Sequence, residues 1–342
     1  MHSCGALPRE GAVTSVAHEE LGDGTGMMAE ITQLTLTYGG NSGSAPGSLI
    51  AKFASRNETN RGVANAFNLP ERETRFASEL AQRTSIRTPK TYYSDTDEDR
   101  FLILMEDLTD YEVGDQAAGA DLSRSELAVD ELAKLHAPFW EKLDGLDWVP
   151  GVANSYHAEA MLGMSASGFD GVVEKFGDYL SERFISLRER YLAAVPSLQA
   201  QMIEPPVTLV HGDYRMANFL FATKPEHDPI VVLDWQGPLL ARGMNDLALF
   251  LGQSTQTQVR RDHLKALVER YAAGLERKGV PPLDRAALWH DFRVAVLYNW
   301  VYVFAVAGTL DVHNEAAYAW MARMVARQTA ISEDLDVYDL LP

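Results

Sequence analysis

Two stretches near the start of the chain alternate in polarity. Leu34, Leu36 and Tyr38 alternate with Thr35 and Thr37, and Leu49, Ala51 and Phe53 alternate with Ile50 and Lys52. A period of two is the signature of a strand, because successive side chains point to opposite faces. Gly39-Gly40-Asn41-Ser42-Gly43-Ser44 lies between them and has turn composition, so the pattern predicts a strand pair joined by a glycine-rich loop. A three- and four-residue spacing takes over at Pro70, a residue suited to the first helical position. There Glu73, Phe76, Ala77 and Leu80 share one helix face. Two more strands are predicted around Thr91–Tyr93 and Phe101–Met105, separated by an acidic turn from Asp95 to Asp99.

From Ser123 the pattern turns helical. Ser123 and Glu126 have capping-box spacing, and Leu127, Leu132 and Leu135 carry the helix toward His136. A second long helical stretch is predicted over Val173–Val195. Short apolar strands return at Val207–Val210, Phe219–Phe221 and Ile230–Leu233, and the remainder from Asn245 reads as helices. The expected architecture is α+β in two lobes, with the boundary near Glu106–Tyr111. Residues 1–108 form a small β-rich N-lobe with one helix, and residues 109–342 a larger, mainly helical C-lobe.

The apolar run Val294–Leu310 requires a membrane test. It falls short of the roughly 20 residues a spanning helix needs. Asn299 interrupts it, and Asp291, Arg293 and Asp311 bound it, so a buried core helix is the reading. With 342 residues the chain can bury a sizeable core, and its single cysteine, Cys4, excludes an intramolecular disulfide. No basic region followed by an apolar run opens the sequence. A reducing, cytoplasmic setting is therefore expected. The formal net charge of −18 opposes binding to nucleic acid, whose affinity comes largely from Lys and Arg on phosphates. It is compatible with a cationic small molecule, although bulk charge says little about a pocket.

The densest chemistry is His211-Gly-Asp213-Tyr-Arg-Met-Ala-Asn218 followed by Asp234-Trp-Gln236, each placed after a short apolar strand. Phosphoryl transfer calls for such a set. A carboxylate orients the acceptor hydroxyl and takes its proton, while an amide oxygen and a second carboxylate hold Mg²⁺ against the phosphates. At Leu209–Leu220, Val232–Gln236 and Gly243–Leu251 the sequence resembles the aminoglycoside phosphotransferase and choline-kinase-like superfamily, and within it the ecdysteroid-kinase-like branch. The resemblance implies a protein-kinase-like fold and the cofactors ATP and Mg²⁺. It also implies Asp213 as catalytic base, Asn218 and Asp234 as metal ligands, and His211 and Asp246 as braces of the catalytic loop. By the same resemblance Met105-Glu106-Asp107-Leu108 is the hinge, whose backbone groups at Glu106 and Leu108 bind adenine.

A kinase also needs a cation on the α/β-phosphates, braced by a helix carboxylate. Lys52 lies mid-strand among apolar neighbours, and Glu73 lies on the apolar face of the next helix. A charge on each of two buried surfaces is costly unless they pair, so Lys52 is expected to bind Glu73. A solvent-facing lysine on an edge strand is the alternative reading, and Glu71 the second candidate partner. Gly22-Asp-Gly24-Thr-Gly26 stands where the family's nucleotide-covering loop would be, with Gly24 at its centre. Its spacing departs from G-x-G-x-x-G, so a plain turn is an equal alternative. No G-x-x-x-x-G-K-[ST] is present, which removes P-loop enzymes.

Leu132–Trp140, ending in His136 and aromatics, is read as packing. Trp289, Tyr298, Trp300, Tyr302 and Phe304 form an aromatic-rich segment of the kind usually buried as core. Trp235, Tyr298 and Trp300 are the candidates for contact with the acceptor, and Asp311 and His313 are ambiguous. The sequence reading is an ATP-dependent phosphotransferase acting on a hydroxyl of a small molecule that is aminoglycoside-, sugar-, amino-alcohol- or steroid-like. A nucleotide-binding regulatory protein without transfer activity is the alternative. A metal-dependent hydrolase built on His211, Asp213 and Asp234 leaves Lys52 and Asn218 without a role.

Overall fold

The computed structural model describes residues 1–21, 29–97, 100–310 and 315–342. The Gly22–Gly26 loop with Gly24, the end of the acidic turn at 98–99, and Asp311 and His313 lie outside the described residues. Packing divides the chain into two compact units, Met1–Glu112 with Ala222–Gly237 and Val113–Phe221 with Pro238–Pro342.

The first unit opens with β1 (Ala12–Glu20), β2 (Ala29–Gly39) and β3 (Ser48–Ala54), then α1 (Glu58–Ala66), α2 (Leu69–Arg75), β4 (Thr91–Asp97) and β5 (Arg100–Glu106). The strands form an antiparallel sheet in the order β1-β2-β3-β5-β4. The alternating stretches are β2 and β3. β1 was not legible from its pattern because all nine of its residues are exposed, so no apolar alternation marks it. α1 escaped for the same reason, since Ala64 is its one buried residue; the Asn57 side chain caps its start by accepting from Thr59 and Asn60 N–H. Pro70 sits in the first turn of α2, and the helix continues as a wider π-turn over Phe76–Leu80. Lys52 stands opposite Ile31 of β2 and Ile103 of β5, on an interior strand of the sheet rather than an edge. Ala29, Phe101 and Ile103 form a buried cluster, with Ala54 and Met105 packed against it.

After β6 (Glu112–Val113) the second unit runs through α3 (Leu122–Phe139), α4 (Tyr156–Phe176), α5 (Glu182–Ser186), α6 (Arg188–Met202), β7 (Thr208–Val210) and β8 (Phe219–Phe221). The chain then returns to the first unit for β9 (Ile230–Val232). There Val232 N–H donates to Arg87 O at 2.8 Å, and the Arg87 guanidinium pairs with Asp228 and Glu106. The second unit resumes with β10 (Leu239–Ala241), α7 (Met244–Leu249), α8 (Thr257–Arg277), α9 (Arg285–Tyr298), α10 (Trp300–Val303) and α11 (Glu315–Asp334).

Two local expectations change. The cap of α3 is Asp121, whose side chain accepts from Arg124 N–H, rather than Ser123. The stretch expected as one helix over Val173–Val195 is broken. α4 ends at Phe176, Leu180 is extended, and Ser181 caps α5 by accepting from Phe184 N–H. Gly177 and the capping serine supply that punctuation.

Val294–Leu310 is core. It covers the end of α9, α10 and a π-turn over Phe304–Gly308. Among the described residues no helix is long and apolar enough to cross a membrane. Phe184 centres an aromatic cluster, with ring centroids 4.2 Å from Trp300, 5.1 Å from Tyr338 and 5.4 Å from Phe169. α4 meets the Phe304–Gly308 turn backbone to backbone. A Cβ at Gly308 would lie 2.1 Å from Gly168 O, and one at Gly171 would lie 2.2 Å from Gly308 O. Gly308→Ala is therefore expected to destabilise the protein by about 1–3 kcal/mol, the range for overpacking a rigid contact. Urea midpoints of variant and parent check this, and an unchanged midpoint contradicts the close crossing.

Candidate active site

In the second unit, β7 pairs antiparallel with β10, with Val210 opposite Leu239 and Thr208 opposite Ala241. The pairing brings the loop after β7 beside the start of α7, which follows β10. The buried carboxylate of Asp246, in the first turn of α7, accepts His211 N–H at 2.6 Å on Oδ2 and Gly212 N–H at 3.0 Å on Oδ1. Gly212 has φ +83, a left-handed conformation that glycine adopts without strain. His211 is fully buried, and its Nδ1 accepts Asp213 N–H at 3.2 Å. Asn218 donates its Nδ2–H to the Asp213 carbonyl at 2.8 Å and to Asp213 Oδ2 at 3.0 Å. Because Nδ2 is engaged there, the amide oxygen of Asn218 points elsewhere. The Asp213 side chain keeps 36% exposure, so the carboxylate is open to a ligand.

His136 belongs to this framework. Its Nε2 lies 3.2 Å from Asp246 Oδ2 and its Nδ1 lies 2.7 Å from the Tyr271 hydroxyl, with all three side chains buried. Gly243 leaves room for the arrangement, since a Cβ there would meet Tyr271 Oη at 2.2 Å and His136 Nδ1 at 2.9 Å. The His136 helix end is thus more than apolar packing: its imidazole supports the carboxylate that holds the loop.

In the first unit, Lys52 Nζ lies 2.7 Å from Glu73 Oε1 and 2.7 Å from Asp234 Oδ1. Lys52 and Glu73 are 7% and 6% exposed, so the pair is desolvated and each charge depends on the other. Burial pulls the Lys52 pKa down, but the fields of Asp234 and Glu73 outweigh it and hold the pKa above the ordinary lysine value. Burial pushes the Glu73 carboxyl up, against the pull of Lys52. Asp234 has φ +62 and also accepts from Gln236 Nε2 at 3.1 Å. Trp235 stacks on Phe76 at 3.9 Å with a 2° tilt, and its Nε1–H donates to Val232 O. The residue after Asp234 is thereby packed against the helical segment that follows Glu73.

The end of β5 carries Glu106, whose N–H donates to Lys90 O and whose carboxylate accepts from Lys90 N–H and pairs with Arg87. Leu108 O accepts Tyr111 N–H, while the Leu108 N–H has no acceptor among the described residues. Tyr298 and Trp300 are fully buried. Trp300 Nε1–H donates to Ser332 Oγ at 3.0 Å inside the aromatic cluster, and Tyr298 meets Tyr302 edge-on. The structure therefore gathers His211, Asp213, Asn218 and Asp246 in the second unit and Lys52, Glu73 and Asp234 in the first. His136, read from the sequence as packing, and Tyr271 and Arg215, given no role there, complete the surroundings of the loop. Their contacts span long separations that no local pattern encodes.

The raised Lys52 pKa sets a sign. Its stabilising contribution is complete below the ordinary lysine pKa of about 10.4 and is lost as pH rises through the folded value. Lys52→Met leaves Glu73 and Asp234 without their cation and is expected to destabilise by about 3–5 kcal/mol at neutral pH. The deficit narrows as pH falls, because Glu73 is pushed up and becomes neutral on protonation. Denaturant midpoints of parent and variant across pH check this; a deficit that grows in acid contradicts it.

Comparison with known proteins adds a family. The model of the ecdysteroid kinase-like family matches residues 23–139 and 152–279, well over half of the chain. A search of curated proteins finds no match. Among solved structures, the GDP complex of wild-type aminoglycoside 2′-phosphotransferase-IIIa is similar, with TM-score 0.54, 16% identity, and 94% of each chain covered. The streptomycin–ATP–APH(2″)-IIa ternary complex is similar too, with TM-score 0.50, 14% identity, and 93% of this chain and 94% of that one covered. At such identities the likeness is one of fold, and the shared fold is kinase-like, with an antiparallel sheet in its N-terminal part and helices in its C-terminal part. On the length of the family match, the chain belongs to the ecdysteroid kinase-like family, a kinase-like family of small-molecule phosphotransferases.

Proposed function

We propose that this protein is an ATP-dependent kinase that moves the γ-phosphoryl group to a hydroxyl of a small molecule. The observation that carries the reading is Lys52, buried on an interior strand and held at 2.7 Å by both Glu73 and Asp234. A buried ion pair adds little net stability, so stability is a weak reason to keep one, and a cation braced by a helix carboxylate is the device that binds α/β-phosphates. In this reading the adenine ring lies against the Glu106 carbonyl and the Leu108 N–H.

Asp213 orients the acceptor hydroxyl and takes its proton. The acceptor oxygen bonds to the γ-phosphorus as the bond from that phosphorus to the β–γ bridging oxygen breaks, and ADP leaves. His211 and Asp246 keep the loop in shape, and His136 keeps Asp246 in place. By the family resemblance Asn218, whose amide nitrogen is the atom turned to Asp213, and Asp234 would each supply an oxygen of the kind a hard cation takes. Mg²⁺ takes one or two protein ligands and leaves its other positions to phosphate and water. When bound, Mg²⁺ neutralises charge on the phosphates. The family description favours a steroid-like alcohol among the candidate acceptors. Trp235, the residue after Asp234, is stacked on Phe76.

The test is ADP release with MgATP and a library of hydroxyl compounds. Asp213→Asn is expected to lower turnover about 10²–10⁴-fold, the range for losing a general base, with ATP affinity nearly unchanged. Parent-level turnover in that variant removes the assignment of Asp213.

A further inference from the structure

Arg215 lies in the catalytic loop and has no part in the roles assigned so far. Its Nε is 3.1 Å from Asp213 Oδ1. The approach is an ion pair off the line of a hydrogen bond: Nε is buried and makes no hydrogen bond of acceptable geometry. The guanidinium carbon lies 5.5 Å from the centre of the Trp320 ring on α11. Arg215 also acts through its main chain, since its carbonyl accepts Asn218 N–H at 2.9 Å and closes the short turn that carries Asn218.

These contacts converge on one carboxylate. Asn218 holds Oδ2 of Asp213, and Arg215 faces Oδ1. Two contacts on two oxygens fix the rotation of the carboxylate about its own bond, which neither alone would do. An exposed arginine would hold such a pair loosely. Here the Arg215 side chain is 22% exposed, and an aromatic ring covers the guanidinium, which limits its plane as an ammonium on a lysine stem would not be limited. A buried donor without a well-aligned acceptor calls for an explanation, and a role in catalysis is one of those it can have. Phosphoryl transfer is sensitive to such alignment, because most of its acceleration comes from positioning.

We infer that Arg215, steadied by Trp320, is a positioning residue for the reaction, holding the Asp213 carboxylate at the angle from which it meets the acceptor hydroxyl. The inference rests on the reading of Asp213 as base.

The experiment measures MgATP hydrolysis, with water as acceptor, and MgATP affinity in the full-length chain. Arg215→Gln is expected to lower kcat by about 10-fold or more while KM for MgATP stays within about two-fold. Arg215→Lys should recover part of the rate, and Trp320→Leu should lower kcat by roughly three- to ten-fold through the loosened guanidinium. The Asp213→Asn, Arg215→Gln double variant should hydrolyse no more slowly than Asp213→Asn alone, since Arg215 acts through Asp213. A merely structural role would instead lower MgATP affinity with kcat, or multiply the two losses, and either result overturns the inference. So does an Arg215→Gln rate within about two-fold of the parent. If Arg215→Gln does not fold, as a lost cooperative thermal transition would reveal, Arg215→Lys and Trp320→Leu decide the matter by the same kcat-against-KM criterion. A parent protein that releases no ADP from MgATP, either with water or with the hydroxyl library, overturns the phosphotransferase reading and this inference with it. Intact parent activity abolished by Asp213→Asn but unmoved by the Arg215 and Trp320 variants overturns this inference alone.

Discussion

A lysine buried on an interior strand must find anions, and that constraint organises the first unit. Lys52 sits between Ile31 and Ile103 in the sheet and would carry an uncompensated charge without Glu73 and Asp234. Meeting it brings helix α2 against the sheet from one side. It also brings back a segment more than a hundred residues later in the chain, Ala222–Gly237, as part of the same compact unit. The returning segment is secured in turn by Val232 on Arg87 O, by Arg87 on Asp228, and by the Trp235–Phe76 stack. Asp234 is held at a positive φ that a non-glycine residue adopts only when its surroundings demand it.

The second unit obeys a parallel constraint with the sign reversed. Asp246 is a fully buried carboxyl group, and its partners are two backbone N–H groups and the His136 imidazole. A polar group in the interior is costly unless its hydrogen bonds are made. Its two oxygens shape the His211–Gly212 turn, which in turn presents Asp213. The chemistry-bearing residues of both units thus sit beside buried charges that are satisfied only when the local fold is correct.

How much of this was legible in the sequence follows from where the information lies. The alternation in β2 and β3 and the helical spacing from Pro70 are local, and they marked the central strands and the helix that carries Glu73. The ion pair of Lys52 with Glu73 could be read because each charge stood among apolar neighbours, a local anomaly with one economical resolution. β1 and α1 were illegible because they bury almost nothing. The broken helix between Phe176 and Leu187 was missed because its apolar spacing continues across a glycine and a capping serine that interrupt the backbone. His136 with Asp246 and Arg215 with Trp320 join residues far apart in the chain, so their pairing is set by tertiary packing alone. The aromatic segment with Trp300 and Tyr298 read first as core and second as a source of acceptor contacts; the Ser332 contact and complete burial of Trp300 place it among the packed rings of the second unit.

Lys52 and its two carboxylates are proposed to hold the phosphates of ATP. Calorimetric titration with ATP, in the presence and absence of Mg²⁺, puts this to the test. One saturable, Mg²⁺-dependent binding event is expected in the parent, weakened about 10-fold or more in Lys52→Arg, which keeps the charge but not the compact ammonium. Equal ATP affinity in the two proteins, or no Mg²⁺-dependent binding in the parent, would contradict it.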